Sequence, residues 1–178
     1  MKLIKKLLAM ALAGVMLLTI LTGCSGGKTG DRLVEEYIAT YLSETFGLGD
    51  IPITHDVPEI KTVAENFDPS WLNDNGKWNI SSTGSTAATY TALQEVFSKY
   101  SSGYTVNLYA REVDSTQSEL YQTMRVMATM GYGLRVYPAS GLPGSLQSST
   151  AIQCATRLVT RGDKSYRIAV IIYDYAAG

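Results

Sequence analysis

Two apolar runs near the C-terminus, Thr150 to Arg161 and Lys164 to Tyr175, flank the dipeptide Gly162-Asp163. Such a pair suits a tight hairpin turn, so the runs read as antiparallel strands. Setting Arg161 against Lys164 places Cys154 opposite Ile171 and Ile152 opposite Tyr173. One face then carries Ile152, Cys154, Leu158, Ala169, Ile171 and Tyr173; the other carries Ala151, Ala155, Val159, Tyr166, Ile168, Val170 and Ile172. A hairpin apolar on both faces belongs at the centre of a sheet, covered on both sides.

Upstream, Leu33, Val34, Tyr37, Ile38, Tyr41, Leu42 and Phe46 recur at helical spacing, with Asp31 placed to cap the start and Gly47 the end. Leu48 to Phe67 holds Pro52 and Pro58 and fits an edge strand or extended segment. Asp68 to Gly84 reads mostly as a loop around Trp71 and Trp78, with a short strand at Trp78 to Ser81. A second helix is expected from Thr86 to Tyr100, its stripe being Leu93, Val96, Phe97 and Tyr100. Tyr104 to Arg111 alternates as a half-buried strand does. A third helix opens on the capping box Thr116-Gln117-Ser118-Glu119, buries Leu120, Met124, Met127 and Ala128, and stops at Gly131. A strand from Gly133 to Tyr137, ended by Pro138, follows. This strand, helix, strand order reads as a right-handed crossover that sets its two strands parallel. The fold class expected is α+β: a mixed, largely antiparallel sheet with a central C-terminal hairpin and three helices.

The N-terminus carries a different signal. Lys2, Lys5 and Lys6 precede the apolar run Leu7 to Leu21, the order of a secretory leader. The run is shorter than the ~20 residues a membrane-spanning helix needs. It meets Leu21-Thr22-Gly23-Cys24, a branched apolar residue three positions before a cysteine with small residues between. This stretch resembles the lipobox of bacterial prolipoproteins. The resemblance implies cleavage after Leu21, Thr22 and Gly23, and a diacylglyceryl group with further acylation on Cys24. It covers only the leader region. Residues 1–23 are thus expected as a signal peptide, 24–30 as a flexible tether rich in Gly and Ser, and 31–178 as a single domain. The expected location is the extracytoplasmic face of a cell membrane, held through the N-terminal lipid.

Losing Lys2, Lys5 and Lys6 with the leader takes the 15 basic residues to 12 against 16 acidic ones, a net of about −4. Nucleic acid is therefore an unsuitable partner, since phosphate contacts need clustered Lys and Arg. With Cys24 acylated, Cys154 is the one remaining thiol, and no disulfide framework forms within the chain.

His55 is the sole histidine, which excludes a multi-histidine metal site; no metal or cofactor is expected. His55 reads as a solvated or hydrogen-bonded surface residue. Cys154 shares an apolar strand face and reads as a buried, inert thiol. A Cys154 nucleophile with His55 as base is the competing reading. Glu35-Glu36 and Asp174 read as solvated carboxylates. Arg161-Gly162-Asp163 spells the integrin-recognition tripeptide at a hairpin tip, where glycine and aspartate are what the turn itself requires.

The aromatic balance, 12 tyrosines against three phenylalanines and two tryptophans, suits a recognition surface. Trp71, Trp78, Tyr109 and Tyr137 are the candidate ligand-binding residues, and no catalytic residues are assigned. The function expected is a non-catalytic binding or interaction module for a protein, peptide or glycan ligand. The alternative is a small cell-envelope enzyme. A deep pocket enclosing two or more carboxylates, or Cys154 within reach of His55, would favour the enzyme.

Overall fold

A computed structural model describes residues 30–137 and 146–174. The leader, Cys24 and the tether up to Thr29 lie outside the described residues, as do Pro138 and Tyr175.

The hairpin forms in the expected register, with its first strand starting at Ile152 and not at Thr150. Strands β4 (Ile152–Arg161) and β5 (Lys164–Asp174) pair antiparallel with Arg161 opposite Lys164, Cys154 opposite Ile171 and Ile152 opposite Tyr173. Gly162 has φ +63° and no non-glycine among the described residues has positive φ, so only the first turn residue is left-handed, as in a type II′ turn. The remaining strands are β1 (Ile53–Thr54), β2 (Tyr104–Val113) and β3 (Leu134–Tyr137). Their order in the sheet is β1-β4-β5-β2-β3, which puts β5 in the middle. Among the described residues only the β1–β4 pair is parallel. The domain is α+β, with a mixed, mostly antiparallel sheet.

Among the described residues there are four α-helices, α1 (Gly30–Phe46), α2 (Glu59–Asn66), α3 (Ala87–Val96) and α4 (Glu119–Met127). None is long and apolar enough to cross a membrane. Helices α2 and α3 cover one sheet face, where Ile60, Val63, Phe67, Leu93 and Phe97 pack on Val106, Leu108, Ile168, Val170 and Ile172. Helices α1 and α4 cover the other, where Val34, Ile38, Leu42, Val126 and Met127 meet Ile152, Cys154, Ala169 and Ile171. Ile168 to Tyr173 are all buried, as a strand with two covered faces requires. Helix α1 ends where expected: Gly47 has φ +62° and the Leu48 N–H reaches back to the Ser43 carbonyl (3.1 Å), closing a Schellman motif.

Several local expectations are corrected. Helix α2 lies in the stretch read as extended; Pro58 precedes it rather than interrupting it, and Ile60, Val63, Ala64 and Phe67 form its buried stripe. The count is therefore four helices, not three. Asp31 does not cap α1, because its carboxylate faces β4 and β5. The Thr116 to Glu119 capping box does not form. Ser118 caps α4, its Oγ accepting the Tyr121 N–H (3.3 Å), while Thr116 bonds to Asp114 in the preceding turn. Between Trp78 and Ser81 there is only an isolated bridge, Trp78 to Leu72. Strand β2 is covered on both faces, not half-buried: Thr105 and Tyr109 are buried as well as Val106 and Leu108.

The expected parallel crossover is also wrong, since β2 and β3 are antiparallel neighbours. The twenty residues from Asp114 to Gly133 are long enough to return the chain in either direction, so the strand, helix, strand order does not fix it. The chain re-enters the sheet at Leu134, opposite Leu108 in mid-strand, and continues back along β2.

Candidate functional site

Two places gather polar chemistry. The first lies where the start of α1 meets β4. On α1, Asp31 and Glu35 share the stripe of Val34, Ile38 and Leu42, so the packing that buries those apolar residues carries two carboxylates inward. Glu35 is 5 % exposed, which corrects its reading as solvated. Its Oε1 accepts the Thr156 N–H (2.9 Å), and its Oε2 lies 3.6 Å from Arg32 and 3.8 Å from His55 Nδ1. Asp31 accepts from Leu158 N–H (3.2 Å) and Arg157 Nη1 (3.3 Å), and is ion-paired with the fully buried Arg167. Gln122 of α4 completes that pocket, its Oε1 accepting from Arg167 Nε (3.1 Å) and Nη2 (2.6 Å).

Short edge strand β1 brings His55 against β4, and its Nδ1 stands 3.4 Å from Cys154 Sγ. His55 is hydrogen-bonded, as one reading had it, but not at the surface: its side chain is 11 % exposed. A cavity of about 380 Å³ beside this cluster is lined by Asp31, Glu35, His55, Asp56 and Arg157, among others. The two observations expected to favour an enzyme are thus partly met, by His55 at Cys154 and by carboxylates around a small cavity.

The electrostatics point the other way. Burial, and then Glu35, push the Cys154 thiol up to about 12. Burial, and then Arg32, lower His55. Burial raises Glu35 against the opposing pull of the Thr156 N–H and Arg32. All three move toward their neutral forms, whereas a nucleophilic pair needs thiolate beside imidazolium. Cys154 itself is fully buried and does not line the cavity. The cluster has the composition of a catalytic triad and the environment of a structural contact. No group of three or more His, Cys, Asp or Glu among the described residues could hold a metal ion.

The second place is a cleft of about 930 Å³ at the hairpin-tip end of the sheet. One wall is the turn Asn73 to Gly76, another the end of β2 from Arg111 to Asp114, and a third Tyr121 and Arg125 of α4; Asp163 to Tyr166 complete it. β3 pairs only with Val106 to Leu108, so the outer edge of β2 beyond Leu108 opens here. Arg111 bridges to the turn by donating to the Asn75 carbonyl (2.8 Å), and Gly76 leaves the room its guanidinium occupies. Lys164 pairs with Glu112 (2.9 Å).

The four aromatic candidates do not form one patch. Trp71 and Trp78 pack edge-on against Phe67, with ring centroids 5.7 and 6.4 Å away. Tyr137 is half-buried on that same sheet face, its hydroxyl donating to the Gln94 carbonyl (2.9 Å). Tyr109 is buried on the opposite face against Gly133, and burial raises its phenol. The hairpin-tip arginine is likewise occupied. Arg161 donates to the carbonyls of Ala64 (2.7 Å), Glu65 (2.9 Å) and Phe67 (2.8 Å), closing the C-terminal end of α2 instead of standing free as an adhesion ligand would. Asp174, still partly exposed, is also a tie: it accepts the N–H groups of Thr150 (2.8 Å) and Ala151 (3.3 Å). Burial pulls its carboxyl upward, but those bonds outweigh it and the pKa falls.

The cleft residues Arg111, Tyr121 and Arg125 were not anticipated, because no motif marks them and two separate elements, β2 and α4, bring them together. Asp31 and Glu35 could have been found from their place on the apolar stripe of α1. The fold and these sites define an α+β domain with an open polar cleft at the hairpin-tip end of its sheet. Compared with protein-family models, curated proteins and solved structures, the chain matches none.

Proposed function

We propose that this chain is a surface-tethered lipoprotein whose domain binds a ligand in the cleft between the Asn73 to Gly76 turn, the end of β2 and α4. The observation that carries the binding role is the cleft, large enough for a small polar molecule or a short peptide and lined by charged and amide side chains. The lipobox supports the anchor, and Cys24 is the acylated residue in this reading. Six peptide units from Cys24 to Gly30 reach about 20 Å at full extension. The Asp31–Arg167 pair then fastens the first turn of α1 to the sheet, so a pull on the lipid acts on the core of the domain.

Metabolic labelling with a fatty acid tests the anchor: Cys24→Ala should abolish incorporation and leave the protein uncut or released. A photo-crosslinking residue tests the cleft. Placed at Asn73 or Asp163 it should trap a partner that the same residue at Glu44, on the exposed side of α1, does not. Equal trapping at all three positions would refute a cleft-specific ligand.

A second reading, a small envelope enzyme, is favoured by one observation, the 3.4 Å approach of His55 to Cys154. It requires a state in which Cys154 reaches solvent. A native thiol that reacts with iodoacetamide as fast as an unfolded one would support it.

A further inference from the structure

Helix α4 buries Val126 and Met127 but leaves two large apolar side chains facing water. Its buried positions are Gln122, Thr123, Val126 and Met127, whereas Tyr121, Met124 and Ala128 face water, Tyr121 42 % and Met124 60 % exposed. The cause is Arg167. Fully buried on β5, it needs the Gln122 carboxamide, and turning Gln122 inward turns Met124 out. Four large hydrophobic side chains are exposed among the described residues, and three of them, Tyr121, Met124 and Tyr132, fall on α4 and the turn after it. Arg125 is four residues from Tyr121 and therefore beside it on the same face, on the side that lines the cleft. It is half-buried, lines the cleft, and has no hydrogen-bonded or ion-paired partner among the described residues.

We infer that this outer face of α4, with the cleft wall it forms, docks an extended acidic peptide: Arg125 receives a carboxylate while an apolar side chain of the peptide lies on Tyr121 and Met124. The inference rests on the proposed binding role and names its ligand class. A planar guanidinium left unpaired is matched by a carboxylate through two parallel bonds. Tyr, Met and Arg side by side are the composition of interface centres. Lys77 adds positive charge nearby, its ammonium 3.9 Å from the Tyr132 ring centroid. The carboxylates of Asp74, Glu112, Asp114 and Asp163 elsewhere in the cleft disfavour a polyanion and leave room for a single acidic group at the α4 wall. A glycan is disfavoured because neither Trp71 nor Trp78 lines the cleft, which therefore offers no indole face.

An array of immobilised hexapeptides, each combining one Asp or Glu with one Leu, Met or Phe, tests this beside counterparts carrying Asn, Gln or Lys and beside a glycan array. The probe is the mature chain in detergent. The acidic and apolar peptides should be retained and their amide counterparts lost. Arg125→Gln and the pair Tyr121→Ala with Met124→Ala should each weaken retention about tenfold or more without moving the melting temperature, since these side chains contribute little to the core. Retention indifferent to the acid-to-amide change, or unchanged in Arg125→Gln, would overturn the inference. Retention on glycans and not on peptides would overturn it and leave the binding role standing. No retention on either surface, together with no trapping from Asn73, would remove both.

Discussion

Replacing Asp31 by Asn keeps the shape of the side chain and an acceptor for the Leu158 N–H, but deletes the charge facing Arg167. Arg167 is 2 % exposed and its guanidinium is otherwise satisfied by Gln122 alone. Burial lowers its pKa and Asp31 opposes that shift, so the carboxylate is what makes a buried cation tolerable. Removing one partner of a fully buried ion pair costs about 3–5 kcal/mol. Asp31 is 26 % exposed, so water screens part of the interaction and about 2–3 kcal/mol is expected here. For a domain of this size that lowers the melting temperature by roughly 5–10 °C. Calorimetry on the Cys24→Ser chain produced without its leader measures it. Adding Arg167→Met and Gln122→Leu to Asp31→Asn should restore most of the loss, because an apolar replacement carries no desolvation cost. A single variant that melts within 2 °C of the parent, or a triple variant no better than the single, would refute the assignment of the buried charge as the decisive element.

Arg161→Ala should cost about 1–2 kcal/mol in urea unfolding by freeing the α2 carbonyls, and integrin-bearing cells should adhere to neither protein; a loss below 0.3 kcal/mol would show that the cap is not a fastening. With its thiol held up to about 12, native Cys154 should be inert to iodoacetamide at pH 8 and react once unfolded. Because the folded value lies above the unfolded one near 9, stability should also fall as pH rises from about 9, and Cys154→Ala should flatten that limb of the melting curve. His55 shifts the opposite way: its contribution is present above the unfolded value near 6.5 and is lost as pH falls below it, so His55→Phe should be the less acid-sensitive protein between pH 7 and 5. Ending the chain after Arg167 removes six buried residues of the central strand, each large one worth about 1.5–3 kcal/mol, and circular dichroism should show no cooperative melt.

The parts of this fold legible in the sequence are those whose signal is local and repeated. The Gly162-Asp163 turn set the β4–β5 register to the residue, and the stripe of α1 located that helix from Asp31 to Phe46. Helix α2 had its signal too, in Ile60, Val63, Ala64 and Phe67, but Pro58 reads as a break unless the helix is taken to begin just after it. The direction of β3 is not carried by periodicity, because the twenty residues between β2 and β3 can return the chain either way. The site was hidden for a related reason. Nothing within Glu119–Met127 says that Gln122 outranks Met124 for the interior; that choice is made by Arg167, whose partners come from α1 and α4 at once. A buried cation on a central strand is therefore the residue to look for first in such a chain. It fixes the rotation of every helix that must supply it with an acceptor, and through α4 it decides which apolar side chains are left facing water beside the cleft.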